Sequence, residues 1–552
     1  MSNKRVKKSI IVLSAAAMLM GSLQTAIHVP ALGPPTVAAA SSVQERQQLS
    51  LRELCDMFGF RLVWNATNRT VSIHSDDRTL SIQLLPDPVA KTGNSTWKIA
   101  AGDVAVKDNR IFVAPQILEK GLDIKVGYSG KTKELEWDMA DIRLTAGAFW
   151  YFLSRQELSA MKRYMADSIR TVPVPASVRQ MAEFLPQLKL TKVRTHDNGL
   201  YKVITFIYDA GQMSLAAEVR FDRTNRIKDY IITADSTGYI APGYDKPDRY
   251  TEESIVVGEG EDATPGTLTL PRGEGPFPVV VLVQGDGELD RDSAVMAQKP
   301  FRDLAVGLAD RGIATIRYDK KTRTRYAKLY ATHNLTKEFI EGAIEAVEQA
   351  KKDKRLDGSR IFVAGHSRGG WMMPAILEQD KERTIAGALI MGSPNPSISE
   401  ADTYYDKSAE SAFFTKEQIA YYREQIKLVK AKNFDPAKPP AEFQLPPNPY
   451  WWQEATTYVP VKNGSGHPAP LFVMQGEEDF HVKASELETW RKVYGKRPGS
   501  EFKLYPKLTH MFTESTGKNT TEEYYNPASV SEQVITDIAA WVEKTGNPEQ
   551  QK

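Results

Sequence analysis

The feature that most restricts the fold of this chain is a regular alternation of apolar runs and helical stretches in its C-terminal half. Five strand-like runs are separated by stretches with helical spacing: PVVVLVQG, GIATIRYD, RIFVAG, IAGALIMG and APLFVMQG. Near-continuous apolar strands joined by helices are typical of a parallel sheet covered on both faces. Residues from about 250 to 547 are therefore predicted to form a mostly parallel α/β domain. In such sheets ligands bind at the carboxyl ends of the strands, so the residues that follow each run are candidates for the site.

Ser367 occupies one of these positions, between the run RIFVAGH and the helical stretch RGGWMMPAILEQ. It fits the pattern Gly-x-Ser-x-Gly, with Gly365 and Gly369 two residues before and after it. A strained nucleophile turn needs a strand, a tight turn and a helix, and glycines on both sides let neighbouring backbone pass without a Cβ clash. A serine in a glycine-rich loop would give the same short pattern, but this context favours a nucleophile.

A serine hydroxyl needs a base within hydrogen-bond reach before it can act as a nucleophile. Among the eight histidines, His510 has the best position, because it follows the last strand-like run and precedes the C-terminal helix. His481 is the competing candidate. The base also needs a carboxylate that fixes its tautomer. The segment GEEDFHV follows the fifth run and offers Asp479, with Glu478 as the alternative.

Backbone N–H groups must bind the negative charge that develops on a carbonyl oxygen during acyl transfer. One is expected from Arg368, directly after the predicted nucleophile. The other is expected from the loop after VVVLVQGDG, where Asp286 is favoured and Gly287 comes next. A structural turn would explain these glycines equally well.

Five segments, taken in order, resemble the α/β-hydrolase superfamily, especially bacterial esterases of the dienelactone-hydrolase and acyl-thioesterase branch: LVQGDGELDRD, PFRDLAVGLADRGIATIRYDKKT, GHSRGG, GEEDFHV and YPKLTHMF. The chain order of serine, acid and histidine agrees with that superfamily. The resemblance implies that Ser367, Asp479 and His510 form a triad that cleaves carboxylic esters through an acyl-enzyme, without a metal or organic cofactor. Gln284 stands where relatives usually have histidine, which leaves the orientation of the oxyanion loop open. An arginine at 368, where leucine or methionine is more usual, is expected to narrow or polarise the site.

An insertion from about 395 to 466 separates the fourth and fifth strand-like runs. A helical stretch followed by the loop PPNPYWWQEATTY predicts a cap over the active edge of the sheet. Trp451 and Trp452 either line an acyl or aromatic pocket or pack the cap, and both interpretations stay open.

Two smaller units are predicted ahead of the α/β domain. Residues 44–140 contain a weak repeat, FGFRLVWNATNRTVSI and GLDIKVGYSGKTKEL, which aligns Gly59 with Gly121 and predicts a helix end and two strands in each copy. The segment resembles the stalk-like copper amine oxidase N-terminal domain of exported bacterial proteins, but His74 is its only histidine and no copper site is predicted. Residues 143–238 begin with an amphipathic helix and continue with alternating runs. They resemble a small NTF2/cystatin-like α+β domain, for which a spacer or docking role is expected.

The first forty residues have the layout of a secretory signal peptide. A basic stretch that includes Lys4 and Lys8 precedes the apolar run IIVLSAAAMLM, and Ala38-x-Ala40 offers a cleavage site before Ser41. A retained anchor is the alternative, although the run is short for a membrane span. We therefore expect a mature protein, secreted or associated with the cell envelope, without a stable membrane span after cleavage.

Charge and composition exclude several classes of partner. The chain has 71 Lys and Arg against 69 Asp and Glu, and removal of residues 1–40 would change its net charge from +2 to −2. This balance gives no electrostatic reason to expect a nucleic-acid partner. The basic cluster KKTRTR at 320–325 is expected to be a solvated loop. The single cysteine, Cys55, is expected to be buried, and no Cys or His cluster has metal-ligand spacing.

These features predict an exported serine hydrolase, most simply a carboxylesterase that acts on a small-molecule ester. A serine peptidase or aminopeptidase of the same fold is the first alternative. Acyl-CoA hydrolysis ranks lower, since an exported protein would rarely meet that substrate. The alternative from another class is a cell-envelope binding protein with an inactive hydrolase domain, whose N-terminal units would hold wall polymer.

Overall fold

The computed structural model describes residues 48–546, apart from residues 86, 101, 130–134, 212, 396–415, 446–447, 461–465 and 519. The predicted signal peptide lies outside the described residues, as does part of the predicted cap. No helix of the described part of the chain combines the length and the apolar character that a membrane crossing requires.

The first described region contains two helix–hairpin units and a five-stranded antiparallel meander. Its strands are β1 (Leu49–Ser50), β2 (Arg61–Asn65), β3 (Thr70–His74), β4 (Thr79–Gln83), β5 (Val89–Thr92), β6 (Ser95–Lys98), β7 (Val104–Lys107), β8 (Arg110–Val113), β9 (Val126–Tyr128) and β10 (Leu135–Trp137). They form the sheets β1-β8-β7, β2-β3-β4-β5-β6 and β10-β9. Helix α1 (Leu51–Phe58) precedes the hairpin β2–β3, and helix α2 (Pro115–Leu122) precedes the hairpin β9–β10.

The predicted repeat is therefore present, but its alignment was wrong by two residues. Helix α1 ends at Gly59 with φ 65°, and helix α2 ends at Asp123 with φ 60°. Gly121 lies inside α2. Both helix ends need a left-handed residue, and aspartate tolerates that conformation better than most side chains do.

The second region packs helices on a four-stranded antiparallel sheet. The strands follow one another in sequential order: β11 (Lys189–Asp197), β12 (Lys202–Asp209), β13 (Ser214–Phe221) and β14 (Ile227–Asp235). The helices are α3 (Ile142–Ser154), α4 (Asp167–Arg170) and α5 (Ala176–Phe184), with 3-10 turns at Leu158–Tyr164 and Leu185–Gln187. Helix α3 packs against both α1 and the sheet. A Cβ added at Gly147 would lie 2.8 Å from Cα of Phe58, so this close approach needs the glycine.

The two regions share one hydrophobic core. Buried side chains from both lie in the same cluster, for example Phe58, Trp137, Phe149, Phe206 and Tyr230. The ring of Trp137 stacks on that of Tyr164 at 4.7 Å between centroids, which joins the end of the first region to the helices of the second. Cys55 is buried in this core as predicted, and burial raises the pKa of its thiol to about 12.

An eight-stranded mixed sheet forms the third region and confirms the predicted α/β class. Its strands are β15 (Tyr250–Val257), β16 (Thr264–Pro271), β17 (Phe277–Val283), β18 (Ala314–Tyr318), β19 (Leu356–His366), β20 (Ile385–Met391), β21 (Leu471–Gly476) and β22 (Glu501–Tyr505). Their order is β15-β16-β18-β17-β19-β20-β21-β22. The pairs β15–β16 and β16–β18 are antiparallel, and the others are parallel. The antiparallel edge was not among the predicted strands.

Helices cover both faces of this sheet. The helices of this region are α6 (Pro300–Ala309), α7 (Lys321–Thr324), α8 (Tyr326–Leu329), α9 (Glu341–Lys352), α10 (Arg368–Trp371), α11 (Met373–Gln379), α12 (Lys416–Lys430), α13 (Pro449–Thr457), α14 (Glu486–Tyr494) and α15 (Glu532–Thr545), with shorter turns at Gly260–Asp262, Thr336–Ile340 and Thr521–Tyr525. Strand β17 shows why both faces are apolar. Val279 and Val281 lie in the core on the α9 side, and Val280 and Leu282 lie in the core with α6 and α15.

The cluster KKTRTR is not a solvated loop, which corrects the prediction. Lys320 and Arg325 are only 1% and 5% exposed. The segment lies between the eight-stranded sheet and strand β14, and carboxylates distant in sequence neutralise it. Lys320 pairs with Glu338, and Lys321 pairs with Glu345.

Candidate active site

Ser367 lies at the turn between strand β19 and helix α10. Its backbone has φ 54° and ψ −122°, a region that non-glycine residues rarely adopt. The turn is fixed by hydrogen bonds from the Ser367 N–H to the Met391 carbonyl, at 2.8 Å, and from the Trp371 N–H to the Ser367 carbonyl, at 3.0 Å. The strand–turn–helix context predicted for this serine is therefore present.

The glycines beside Ser367 are needed for close backbone packing, as predicted. A Cβ at Gly365 would lie 2.5 Å from the carbonyl carbon of Gly369, and a Cβ at Gly369 would lie 2.4 Å from the Val283 carbonyl oxygen. Neither neighbour is a side chain that could move aside. The turn can thus sit against the end of strand β17 only with glycine at both positions.

The structure brings together His510 and Asp479, whose sequence positions are 31 residues apart. His510 Nδ1 lies 2.8 Å from Asp479 Oδ2, and both side chains are buried. The other oxygen, Oδ1, accepts from the N–H groups of His481 and Val482, each at 2.8 Å, and Gln475 Nε2 donates to Oδ2 at 2.9 Å. These hydrogen bonds to both oxygens fix the orientation of the Asp479 carboxylate toward the imidazole.

Gly392, directly after strand β20, gives this pair its space. A Cβ at this position would lie 3.3 Å from His510 Nδ1 and 3.4 Å from Asp479 Oδ2. Its φ of 55° also favours glycine. Sequence reasoning missed this residue, although its place at the carboxyl end of a strand is the signal that could have identified it.

Two further histidines flank His510. The ring centroids of His366 and His481 lie 4.6 and 4.7 Å from that of His510. His366 Nε2 donates to the His510 carbonyl at 2.8 Å. Burial lowers the pKa of His366 to about 3 and lowers the pKa of His481 well below its usual value. Both rings therefore stay neutral and support His510, and it is His510, not His481, whose side chain bonds the Asp479 carboxylate.

The loop after β17 passes directly beside Ser367. A Cβ at Gly285 would lie 3.0 Å from Ser367 Cβ and 3.5 Å from its Oγ. The side chains of the two predicted oxyanion residues pair with each other, since Arg368 Nε donates to Asp286 Oδ2 at 2.5 Å. Burial raises the pKa of the Asp286 carboxyl, and the neighbouring Arg368 opposes that rise.

The side chain of Gln284 stabilises the loop that follows strand β17. Its side-chain amide donates to the carbonyls of Tyr318 and Asp290. The side chain is 1% exposed. The residue that stands in place of the usual histidine thus connects the loop after β17 to the end of strand β18.

Trp451 and Trp452 lie on helix α13, within the insertion predicted to form a cap, and are 6% and 2% exposed. Trp451 Nε1 donates to Glu338 Oε2 at 2.6 Å. The Arg368 guanidinium lies over the ring of Trp451, 5.9 Å from its centroid. Trp451 thus reaches the residue after Ser367, and both tryptophans pack in the core on the α9 face.

The N-terminal region does not fit a copper site. His74 Nδ1 bonds to Thr79 Oγ1 at 3.0 Å on the meander. Within the described ranges, no group of three or more His, Cys, Asp and Glu side chains could hold a metal ion. No step of the chemistry is therefore assigned to copper.

Most of the chain is similar in sequence to known proteins or families. The model of the prolyl oligopeptidase family matches residues 301–526, and that of the copper amine oxidase N-terminal domain matches residues 34–137. Esterase EstD of Thermotoga maritima is 30% identical over 366 residues, which cover 66% of this chain and 84% of that protein. This alignment is longer than the segment 250–546, so the similarity extends into the residues that precede the eight-stranded sheet.

Solved structures resemble the chain at lower identity. Est1E from Butyrivibrio proteoclasticus is 15% identical, with 53% of this chain and 98% of that chain covered and a TM-score of 0.35. A puromycin-hydrolyzing peptidase of Mycobacterium tuberculosis is 14% identical, with 88% and 62% covered and a TM-score of 0.37.

Proposed function

This chain belongs to the α/β-hydrolase serine esterases, and from that premise we propose that it is an exported carboxylesterase with Ser367 as its nucleophile. The family makes it a serine hydrolase that acts on ester bonds. The observation that carries the proposal is the 2.8 Å bond between His510 Nδ1 and Asp479 Oδ2. Ser367 forms its strained turn at the same edge of the sheet, where the ring of the preceding residue, His366, lies 4.6 Å from that of His510. A small-molecule ester is the expected substrate.

The chemistry would proceed in two acyl transfers. Ser367 Oγ attacks the ester carbonyl while His510 Nε2 takes its proton, and His510 then returns that proton to the leaving alcohol. Water, deprotonated by the same nitrogen, hydrolyses the acyl-enzyme to the carboxylic acid and restores the serine. Asp479 keeps the proton of the neutral imidazole on Nδ1, and the N–H groups of Arg368 and Asp286 would bind the oxyanion in both tetrahedral intermediates.

The nucleophile is tested by Ser367→Ala. We expect turnover of a short p-nitrophenyl ester to fall by at least about 10³-fold, because removal of a triad member leaves only the contribution of binding and the oxyanion hole. Ser359→Ala is the matched control, since Ser359 is exposed near the start of strand β19 and bonds Asp357 of the same strand. A fluorophosphonate probe should label the wild type and the control but not Ser367→Ala. Full ester turnover in Ser367→Ala would refute the assignment.

The match to the prolyl oligopeptidase family favours a second candidate, a serine peptidase with the same triad. The two candidates differ in the bond they cleave, and the same acyl group can be offered as an ester and as an arylamide. We expect the purified protein to prefer the ester. A kcat/KM for an aminoacyl-arylamide that equals or exceeds that for the matching ester would replace the esterase proposal with the peptidase.

Export and contact with the cell envelope complete the proposal. They rest on the layout of residues 1–40 and on the stalk-like first region. Expression in a bacterial host should yield a mature protein that begins at Ser41, detected by mass spectrometry of the fraction outside the cytoplasm. Binding of wall polymer by the N-terminal regions would appear as cosedimentation of the mature protein with purified cell walls.

A further inference from the structure

A short buried segment, residues 319–327, connects the four-stranded sheet β11–β14 with the loop that carries Asp286. It begins after strand β18 and contains helix α7 and the start of helix α8. Most of its cationic side chains are buried, with Lys320 1% exposed and Arg325 5% exposed, while Arg323 is partly exposed. Buried charges persist only with partners, so the contacts of this segment show what it holds in place.

On one side the segment holds the oxyanion loop. Lys320 Nζ donates to the Gly285 carbonyl oxygen at 2.8 Å. Arg323 Nη1 donates to the Glu288 carbonyl oxygen at 3.1 Å. Two carbonyl groups of the loop are thus fixed by side chains of the segment.

The Lys320 bond determines the direction of the neighbouring N–H. In a trans peptide the C=O and the N–H point in opposite directions. Because the Gly285 carbonyl points to Lys320, the N–H of Asp286 in the same peptide unit points away from Lys320. Gly285 itself passes within contact of Ser367, since a Cβ there would lie 3.0 Å from Ser367 Cβ. Lys320 therefore orients the peptide that would carry one oxyanion donor.

On its other side the segment is bound by strands β13 and β14. Asp229 accepts from the N–H groups of Tyr326, at 3.2 Å, and Ala327, at 2.8 Å. Arg220 Nη1 donates to Asp229 Oδ2 at 2.5 Å and to the Arg323 carbonyl at 2.5 Å. Asp229 and Arg220 are 1% and 2% exposed. The pair thus fixes the far end of the segment that holds Gly285.

We propose that the four-stranded sheet is a positioning element of the active site, because Arg220 and Asp229 hold the segment through which Lys320 orients the Gly285–Asp286 peptide. This inference rests on the function proposed above. Loosening the segment would let the peptide rotate and would misalign the oxyanion donor. An oxyanion donor acts on the transition state far more than on bound substrate, so kcat should fall while KM stays nearly constant.

Charge-balanced double variants test this while each remaining buried charge keeps a partner, since Glu218, which also pairs with Arg220, retains Arg323. Lys320→Met with Glu338→Gln removes the bond to Gly285 and its counter-charge. Arg220→Met with Asp229→Asn removes the anchor on the sheet. The matched control is Asp197→Asn with Arg223→Met, an ion pair of the same sheet whose side chains are 50% and 51% exposed.

Two readouts distinguish positioning from a general loss of structure. With a p-nitrophenyl ester, both buried double variants should lose at least about tenfold in kcat and keep KM within about threefold, since loss of one oxyanion donor costs 10²–10³ in kcat. Affinity for a short alkyl trifluoromethyl ketone, which forms an oxyanion with the serine, should fall by the same factor. The control should change neither quantity by more than about twofold.

The outcomes separate this inference from the proposed function. Ester turnover that persists in Ser367→Ala refutes the nucleophile, whatever these variants do. If Ser367→Ala is inactive but the folded Arg220/Asp229 double variant keeps wild-type kcat and ketone affinity, the positioning role is refuted. If a double variant does not fold, Asp229→Asn decides by the same readouts, because it keeps the shape of the side chain and one acceptor for the Ala327 N–H. Equal changes in kcat for the control and the buried variants would also overturn the proposal.

Discussion

At the scale of single residues, the hydrogen bonds around Asp479 determine which form of His510 the site can use. Oδ1 accepts from two backbone N–H groups, and Oδ2 accepts from Gln475 and faces His510 Nδ1. In Asp479→Asn the amide oxygen would keep the two backbone donors, so the NH₂ group would face His510. The imidazole would then present a lone pair at Nδ1 and a proton at Nε2, the tautomer that cannot accept a proton from Ser367.

We therefore expect Asp479→Asn to lower kcat by about 10⁴-fold with little change in KM, measured by steady-state ester hydrolysis. Glu478→Gln is the matched control, because Glu478 was the alternative acid in the same loop. A large loss of kcat in Glu478→Gln with full activity in Asp479→Asn would show that Glu478, not Asp479, is the acid that orients His510.

His366 gives a prediction for stability against pH. An unfolded histidine binds a proton near pH 6.5, whereas burial lowers the pKa of His366 to about 3. Between these pH values the unfolded state binds more protons, so the free energy of unfolding decreases as the pH falls. One such group contributes up to about 1.4 kcal/mol per pH unit. His481 acts in the same direction, since its pKa is also lowered.

Replacement by glutamine, His366→Gln, removes the titrating group and keeps an N–H donor for the His510 carbonyl. Denaturant unfolding at pH 6.5, 5.5 and 4.5 should show a shallower loss of stability in the variant than in the wild type, by about 1.0–1.4 kcal/mol per pH unit. Parallel curves for the two proteins would contradict the prediction. The two proteins are compared by the slope of unfolding free energy against pH. Other groups titrate equally in both, for example Asp303, because burial raises its pKa to about 6.

The candidate site residues that could be predicted from the sequence are those whose place in the fold depends on a single strand. Ser367, Asp479 and His510 each follow a strand-like run, and the position after a run is readable without the fold. His366, His481 and Gly392 support the pair only because loops that are distant in sequence meet at one sheet edge. Nothing local to these three residues indicates those contacts.

At the scale of elements, the same reason explains the error at KKTRTR. A run of cations after a strand is usually solvated, and its burial depends on carboxylates from other elements. Glu338 and Glu345 lie on the following helical stretch, while Glu218, which pairs with Arg323, lies on strand β13 of another region. The charge of a segment predicts that it needs partners, but not whether water or protein provides them.

Helix α13, in the insertion predicted to form a cap, offers a test of the two interpretations of Trp451. Its N–H donates to the buried carboxylate of Glu338. In Trp451→Phe that oxygen loses its donor, so we expect the free energy of unfolding to fall by about 1–3 kcal/mol, with KM for the ester within about threefold. Denaturant unfolding and steady-state kinetics measure the two quantities.

Tyr450→Phe is the control for Trp451→Phe, because Tyr450 lies on the same helix and is 38% exposed. It should change stability by no more than about 0.5 kcal/mol. Unchanged stability in Trp451→Phe together with a tenfold rise in KM would show that Trp451 lines the substrate pocket and does not mainly pack the cap.

At the scale of the whole molecule, the sequence separates the first half into segments that the structure joins. The sequence pattern changes from strand-like to helical near residue 140, which predicts a domain boundary there. Periodicity cannot show that the segments before and after this boundary bury their apolar faces in one core. Helix α3 begins just after that point and packs on α1 and on β12 and β13. The boundary itself stays a prediction, while the shared core predicts that both regions unfold together.

Phe58→Ala tests this cooperativity. Phe58 is fully buried in α1, its ring lies 5.5 Å from that of Trp137, and its backbone contacts α3 at Gly147. Loss of a buried phenylalanine costs about 3–5 kcal/mol. Because a cooperative unit opens as a whole, hydrogen exchange should accelerate by about 10²- to 10⁴-fold in β3 and β4 and equally in β12–β14. Ile538→Ala, in the core of the α/β domain, is the control and should leave both regions unchanged while accelerating exchange in β20. If hydrogen exchange accelerates only in residues 48–137 of Phe58→Ala, the first region unfolds alone. The four-stranded sheet would then hold the segment 319–327 independently of the first region.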